Sequence, residues 1–380
     1  MKQNKNILKN PGVQSLLTSL LCILLGLFIG YLVLLLINPT GAWGAITNVM
    51  KNFLTYSSAK AQLKYLGNTL VRTAPLLMCS LSVLFVYKVG LFNIGAAGQY
   101  VAGACACLYA ALYLHWHWLL CMLLAIAAGA LLGVISGLLK SSFNVSEVIS
   151  GIMLNWIALY TTNMLLTNVK EATSPYTYQL KAEGPQAILP QISLSKLLSG
   201  NQYVTIAIPI AIVCAVVIWV VLSKTLFGYE LKATGNNPNA AKYCGMAEKR
   251  NIILTLAIGG ALAGLGASLL YQTGYEQWQC TYSSVPSMGF NGIAAAFLGG
   301  LSPIGSIFAS FFIQHITAGG AYVDKSLYCS QISDLISAII IYLCSFVLFF
   351  KTVLSSWIAR HEEKKARKAA QAAGKGGEQA

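Results

Sequence analysis

The chain has 380 residues, of which 56% are hydrophobic and only 9% are charged, and its mean hydropathy is +0.65. In soluble globular domains about 25% of residues are charged, so this composition excludes that class. The formal net charge is +14, but no basic soluble domain with interleaved aromatic residues is present, and no nucleic-acid partner is expected. Repeated apolar runs of about twenty residues instead predict an all-α polytopic protein embedded in the lipid bilayer.

Five apolar spans are predicted in the first half of the chain, after an N-terminal segment that covers residues 1–15. They comprise residues 16–37, 68–87, a span that follows residues 90–100 and ends near 114, then 119–139 and 148–166. Residues 38–66 are predicted as a loop. His115 and His117 alternate with two tryptophans; a metal site is the alternative, but an aromatic belt at the membrane interface fits better. No metal site is predicted.

The second half is predicted to contain five more spans and a basic tail. A polar segment, residues 167–202, precedes a span at 203–222, and a polar loop at 223–251 separates it from a span at 252–271. Residues 289–314 contain two apolar halves interrupted by Gly299, Gly300, Ser302 and Pro303, which predicts two short or broken spans. The last span covers residues 332–350, which ends the transmembrane region 16–350 and leaves the tail 351–380.

The polar loop at residues 223–251, which we call the central segment, carries an unusual density of positive charge. Its basic residues are Lys224, Lys232, Lys242, Lys249 and Arg250, against the acids Glu230 and Glu248. Asn237 suits a helix cap, Pro238 the first helical position and Gly245 the position after the end. We therefore predict a short helix over residues 238–244, outside the bilayer, that acts as a cytoplasmic docking element.

Ten spans place both chain termini on the same side of the membrane. Lysine and arginine concentrate in cytoplasmic loops, and the basic N-terminal segment, the central segment and the tail all fall on one side in this topology. We therefore expect both termini in the cytoplasm. Lys51, Lys60 and Lys64 in the loop at 38–66 count against this orientation, so the first hairpin is its weakest part.

A weak internal repeat relates the two halves. The stretch LFNIGAAGQYVAGA from Leu91 resembles GFNGIAAAFLGG from Gly289, and each places Phe-Asn before a helix rich in small residues. A unit of five spans inverts on repetition, so two five-helix halves are expected as an inverted repeat, an arrangement that commonly builds a transport site. Small-residue ladders predict close helix contacts at Gly129, Gly133, Gly137, Gly260 and Gly264.

The chain lacks the motifs of an enzyme. It has no GxxxxGK[ST] loop, no HExxH and no GxSxG. No acid lies in the middle of a predicted span, which argues against a proton-driven carrier and against an intramembrane aspartyl enzyme. A sodium-driven carrier stays open, because backbone carbonyls can bind sodium.

Neutral amides and aromatic rings form the candidate substrate pathway. Amides can bind hydroxyl groups or base edges and aromatic faces can stack on a ring, which suits an uncharged, polar small-molecule solute. The candidates are Phe92, Asn93, Gln99, Asn155, Phe290 and Asn291. The alternative is that these amides hydrogen-bond between helices and bind no solute.

Four stretches, in order, carry a family resemblance: GLFNIGAAGQ at 90–99, NVSEVISGIMLNWIA at 144–158, GYELKATGNNPNAAKYCGM at 228–246 and GFNGIAAAFLGGLSPIG at 289–305. With them the chain resembles the permease subunits of bacterial ABC importers for nucleosides and simple sugars. The GLFNIG form is more like the nucleoside branch, and a ribose-type or other sugar permease is the alternative. The family commonly has an acid where this chain has Ala97.

The resemblance implies a ten-span permease in the bacterial plasma membrane, paired with a second, related permease. ATP-binding subunits would dock inside and hydrolyse ATP-Mg, an extracytoplasmic substrate-binding protein would deliver the solute, and this chain would be no enzyme and hold no cofactor. The central segment matches the family's coupling region. The residues that carry this match are Gly228, Glu230, Gly235, Asn237, Pro238, Ala241 and Gly245.

Overall fold

Helices make up nearly all of the computed structural model, which describes residues 11–324 and 326–328 and single positions or pairs between 335 and 360. The α-helices, in chain order, are α1 (Pro11–Ile37), α2 (Ala42–Lys51), α3 (Ala59–Lys88), α4 (Ala96–Leu112), α5 (Trp118–Phe143), α6 (Glu147–Leu166), α7 (Leu180–Glu183), α8 (Leu194–Leu197), α9 (Ala207–Lys224), α10 (Leu226–Asn236), α11 (Pro238–Tyr243), α12 (Glu248–Tyr271), α13 (Met288–Leu298) and α14 (Pro303–Gly319).

Seven of the described helices are long and apolar enough to cross a membrane: α1, α3, α5, α6, α9, α12 and α14. The apolar helices α4 and α13 are shorter. An α-helix rises about 1.5 Å per residue, so the 11 residues of α13 reach only about half of a ~30 Å hydrocarbon core. The polytopic all-α prediction is confirmed, and the first nine predicted spans each coincide with one of these helices. Residues 1–10, most of the predicted last span and most of the tail lie outside the described residues.

Helix α12 packs against α3, α4 and α5 at the centre of the bundle. The predicted glycine ladders meet here: a Cβ on Gly129 would collide with the carbonyl oxygen of Gly260, and one on Gly133 with that of Leu256. A Cβ on Gly137 would lie 2.8 Å from the Cα of Ile253. Small residues let two backbones touch where lipid supplies no hydrophobic drive, so the predicted close contacts are confirmed.

Each of the two short helices packs against a long helix from the other half of the chain. Helix α4 packs on α12, where Gly103 faces Gly264, and α13 packs on α3, where Gly292 faces Cys79. In each case a short helix of one half lies against a long helix of the other. This reciprocal packing fits the repeat indicated by the two Phe-Asn motifs. The turn at residues 299–302 separates α13 from α14, as predicted.

The predicted loop at residues 38–66 is largely helical instead. It contains α2 and the start of α3, which begins at Ala59. Ala42, Ala45, Ile46 and Val49 form one buried stripe on α2, with the spacing of an amphipathic helix. That stripe packs beside the end of α14, where a Cβ on Gly319 would collide with the Val49 carbonyl oxygen. The loop prediction was wrong because this stretch is too polar on average to be recognised as a span.

Two polar connections between helices cover the end of the bundle that lies opposite to the central segment. Residues 167–206 form the first polar connection and residues 272–287 the second, and an isolated antiparallel bridge joins Tyr176 to Gln279. The indole Nε1 of buried Trp278 donates a hydrogen bond to Asn163 Oδ1 on α6 at 3.0 Å. The second connection is thereby fixed to the C-terminal half of α6 before it enters α13.

Candidate functional site

Asn93 and Gln99 are buried side by side where the chain enters α4. Asn93 Nδ2 donates hydrogen bonds to Gln99 Oε1 at 2.8 Å and to Ser82 Oγ of α3 at 3.0 Å. Both amides are almost fully inaccessible. Their bonds therefore hold the loop before α4 against α3, as the bridging alternative predicts.

Asn155 of α6 acts as a cap for α4. Its Oδ1 accepts a hydrogen bond from the backbone N–H of Gly98 at 2.7 Å, and its Nδ2 donates to the carbonyl oxygen of Ile94 at 3.2 Å. The first N–H groups of a helix have no partner within the helix. The Asn155 oxygen supplies one from a neighbouring helix, while its nitrogen binds the loop that precedes α4.

The first turns of the two short helices touch each other. A Cβ on Gly289 of α13 would lie 2.6 Å from the backbone nitrogen of Ala97 in α4. Ala97 is fully enclosed at this contact. The position at which the related permeases were expected to carry an acid therefore serves close backbone packing in this chain.

Exposed aromatic residues lie on α6 and on α13, the two helices that both pack on α4. Trp156 and Tyr160 stack on α6 with ring centroids 6.0 Å apart and are 41% and 59% exposed. On α13, Phe290 is exposed, and the Asn291 side chain has no hydrogen bond to any described residue. We call these four residues the aromatic face. Of the predicted pathway residues, only Phe290 and Asn291 belong to it.

Trp156 and Tyr160 were missed by the sequence analysis, although a signal was present. Tryptophan and tyrosine favour the ends of membrane spans, whereas these two are the tenth and fourteenth of the 20 residues of α6, one turn apart. The predicted pathway residue Phe92 lies elsewhere. Its half-buried ring packs edge-to-face on Tyr87 at the end of α3.

The central segment folds as two consecutive helices. Asn237 Oδ1 accepts a hydrogen bond from the Ala240 N–H at 3.0 Å, Pro238 is the first residue of α11, and Gly245 has a φ of +79° just after the end. The predicted helix and its cap are confirmed. Helix α10 was missed; it begins at its own cap, where Thr225 Oγ1 accepts from the Gly228 N–H at 3.1 Å.

The seven residues that carry the coupling-region match set the shape of the central segment. Gly228 packs on the Val221 carbonyl, Gly235 packs on the Val89 carbonyl, and Ala241 is only 4% exposed. Glu230 forms an ion pair with Arg250 at 3.9 Å. The outward face also includes exposed residues outside the seven: Lys242, whose charge the sequence analysis noted, and Leu226, Tyr229, Asn239 and Tyr243, which it did not single out.

One contact joins the central segment to the pathway region. A Cβ on Gly90 would lie 2.8 Å from the Gly235 carbonyl oxygen, and Gly90 begins the loop that leads through Asn93 into α4. A cavity of about 440 Å³ lies beside this contact, and Lys140 and Glu147 in its wall form an ion pair at 2.9 Å. Among the described residues no group of three His, Cys, Asp or Glu could hold a metal ion.

Comparison with known proteins identifies the family. The family described as the permease component of the branched-chain amino acid transport system matches residues 65–345. The chain belongs to this permease family. No solved structure matches it significantly.

Three relatives of the permease are informative. The nucleoside ABC transporter permease protein NupB of Lactococcus lactis is 31% identical over 98% of this chain and 100% of its own. The guanosine ABC transporter permease protein NupP of Bacillus subtilis is 33% identical over 86% of this chain and 92% of its own. The glucose ABC transporter permease protein TsgB13 of Haloferax volcanii is 27% identical over 88% of each chain.

Proposed function

We propose that the permease is the membrane-spanning subunit of a bacterial ABC importer for nucleosides. The observation that carries this proposal is the full-length similarity to NupB, together with that to NupP. Both relatives are named for nucleoside or guanosine transport. The exposed aromatic rings and the Asn291 amide of the aromatic face agree with an uncharged solute that carries a planar ring.

The aromatic face is our candidate for the wall of the solute pathway. Tyr160 is the 14th of the 20 residues of α6, a helix long and apolar enough to cross a membrane, and its hydroxyl has no hydrogen-bond partner among the described residues. A polar group in lipid without a partner costs free energy. This favours a location against a second permease subunit or a water-filled path, where Trp156 and Phe290 could stack on a nucleobase.

The central segment is our candidate docking site for the ATP-binding subunit. Its exposed face combines the apolar Leu226 with Tyr229 and Tyr243, while its buried face rests on the bundle. In this proposal ATP-Mg is bound and hydrolysed in that partner. Movement of α10 and α11 reaches α4 through the Gly235–Gly90 contact, and the two permeases then alternate between inward-open and outward-open forms.

The remaining parts of the proposal concern the assembly. A second, related permease completes the pathway, and an extracytoplasmic binding protein delivers the solute at the end formed by the two polar connections. The central segment and both termini face the cytoplasm, and the membrane is the bacterial plasma membrane. The positive charge of the central segment supports this orientation.

The test is uptake into proteoliposomes that contain the permease with its ATP-binding subunit, partner permease and binding protein. We expect ATP-dependent uptake of labelled uridine and guanosine that excess ribose or glucose does not compete with. Uptake of a sugar alone would assign the permease to the sugar branch, the alternative that the similarity to TsgB13 supports. Uptake driven by a sodium gradient without ATP would contradict the importer class itself.

A further inference from the structure

A cavity of about 350 Å³ opens at the end of the bundle opposite to the central segment. Buried Leu108 and Tyr271 line it, and both polar connections contribute residues 177–181, 202–203 and 274–277 to its wall. None of the four residues of the aromatic face lines it. All residues that line the cavity belong to this one chain, and the cavity is separate from the proposed pathway wall.

Tyrosine rings dominate the cavity wall. They belong to Tyr178, Tyr203, Tyr271 and Tyr275. The last three are buried or half-buried, and these are the rings that a ligand would stack on, whereas Tyr178 is exposed. Two cations hold two of the rings: Lys181 Nζ lies 4.6 Å from the centre of the Tyr203 ring, and Arg72 Cζ lies 5.3 Å from that of Tyr275. Such cation–π contacts orient a ring, and aromatic faces can stack on the ring of a solute.

Hydrogen-bonding groups without partners face the same space. Glu276 uses one carboxylate oxygen in an ion pair with Arg72, and its Oε2 has no hydrogen bond to a described residue. The side-chain amides of Gln179 and Gln202 likewise have no partner among the described residues. Gln277 instead stabilises the wall, because its Nε2 donates to the Thr177 carbonyl at 2.7 Å. Burial raises the pKa of Tyr275 above its usual value, so its hydroxyl stays neutral.

The charges of the wall favour a neutral ligand. Lys181 and Glu276 are the charged residues that line the cavity, one of each sign. A carboxylate oxygen and amide oxygens accept hydrogen bonds from hydroxyl groups, and amide N–H groups donate to ring oxygens or base edges. The volume lies in the range of about 300–1,000 Å³ that is typical of small-molecule sites.

We propose that this cavity is a second solute site, which binds a neutral, ring-bearing molecule with several hydroxyl groups, a nucleoside or a sugar. The choice of solutes rests on the proposed function. The second polar connection lines the cavity with Tyr275 and Glu276, is fixed to α6 through Trp278, and then enters α13 beside Ala97. The site thus lies at the start of the segment that leads to the aromatic face, where a solute would be received before it enters the pathway.

The test is protection of an introduced cysteine. Tyr178 is 39% exposed and lines the cavity, whereas Tyr176, two residues earlier and 41% exposed, does not. Tyr178→Cys and Tyr176→Cys would each be placed in a Cys244→Ser permease, because Cys244 is exposed. The proteins, in lipid nanodiscs without the binding protein or the ATP-binding subunit, would be reacted with a maleimide. The probes are uridine, guanosine, glucose and the acyclic polyol mannitol.

We expect uridine, guanosine or glucose to slow the labelling of Tyr178→Cys, and mannitol to have no effect. At a probe concentration about ten times its Kd the rate falls about tenfold, because only the empty cavity reacts. Labelling of Tyr176→Cys stays unchanged. The same rate with and without every ring-bearing probe, or equal slowing in both variants, would contradict the site.

Uptake by the assembled transporter separates this proposal from the proposed function. ATP-dependent nucleoside uptake without protection of Tyr178→Cys overturns the second site alone. Protection by a ring-bearing probe without such uptake overturns the proposed function and leaves the site standing.

Discussion

Asn155 and Trp156 are neighbours in the chain, yet one is buried and the other exposed on α6. Asn155 caps α4 with its Oδ1 and binds the loop before α4 with its Nδ2. Trp156 is exposed and stacks on Tyr160. The sequence analysis grouped Asn155 with the pathway because an amide in a span suits a solute. The geometry assigns the amide to the bundle and gives the neighbouring ring the candidate role in transport.

The pair gives a matched test at the residue scale. We expect Asn155→Ala to lower the free energy of unfolding by about 1–2 kcal/mol, because a helix cap is lost and the Gly98 N–H becomes unpaired. Trp156→Ala removes an exposed ring and should leave the melting temperature in detergent nearly unchanged while it lowers nucleoside uptake. The measurements are thermal unfolding and uptake of each purified variant. Reduced uptake in Asn155→Ala at full stability would return Asn155 to the pathway.

Residue roles could be predicted from the sequence where they depend on near neighbours. The Asn237-Pro238 cap of α11 and the glycine after its end follow from local backbone chemistry, and they are present as expected. The partners of Asn93 and Asn155 depend on how α3, α4 and α6 approach one another. Gly98 is 57 residues away from Asn155 in the chain, so no local pattern reveals that the asparagine will meet it.

Among the elements, the central segment combines a buried face with an exposed one. Ala241 faces the bundle, and Tyr243 on the same short helix is 94% exposed. The residues that resemble the family's coupling region hold the segment in shape, whereas a docking partner would contact the residues on the outer face. The seven matching residues are therefore expected to influence docking through the position of α11.

Two substitutions on α11 distinguish residues that hold the central segment in its conformation from residues that would contact the ATP-binding subunit. We expect Tyr243→Ala to reduce co-purification of the ATP-binding subunit and to lower uptake at unchanged stability, because the ring has no packing role. Ala241→Arg forces a large side chain into a packed contact, at a cost of about 1–3 kcal/mol, and should lower both stability and uptake. The assays are pull-down, thermal unfolding and uptake. Normal pull-down and uptake in Tyr243→Ala would contradict docking at this face.

The long apolar helices were predictable, whereas of the shorter polar helices only α11 was. Nine spans were found from their apolar length, and the break between α13 and α14 from the residues around Pro303. Helices α2 and α10 were missed. Their buried stripes are short, namely Ala42 to Val49 in α2 and Gly228, Leu231 and Thr234 in α10. Averaging hydrophobicity over a span-length window hides such stripes.

For the whole molecule, the proposed orientation in the membrane rests on charge. The central segment was placed in the cytoplasm because of its lysines and Arg250. The glycine ladders and the all-helical architecture were also predictable at this scale. The aromatic face and the cavity at the opposite end were not, because each is assembled from segments far apart in the chain.

Cys244 reports the orientation directly. It is the exposed member of the free cysteines in the described part of the chain and lies just after α11. In intact cells we expect a membrane-impermeant maleimide to leave Cys244 unlabelled, and to label it once the cells are permeabilised. Cys244→Ser gives the background from other thiols. Cys244-dependent labelling of intact cells would reverse the topology and move the cavity of the second solute site to the cytoplasmic side.

The contact of Gly235 with Val89 and Gly90 involves main-chain atoms on both sides. Its geometry therefore does not depend on which side chains the outer face of α10 and α11 presents. In the proposed transporter that face could therefore change to suit a different ATP-binding subunit while the contact with the loop before α4 is kept. The central segment would then be an interchangeable adaptor: we expect a chimaera that carries a relative's outer face on this framework to bind the relative's ATP-binding subunit and to retain the solute of this permease.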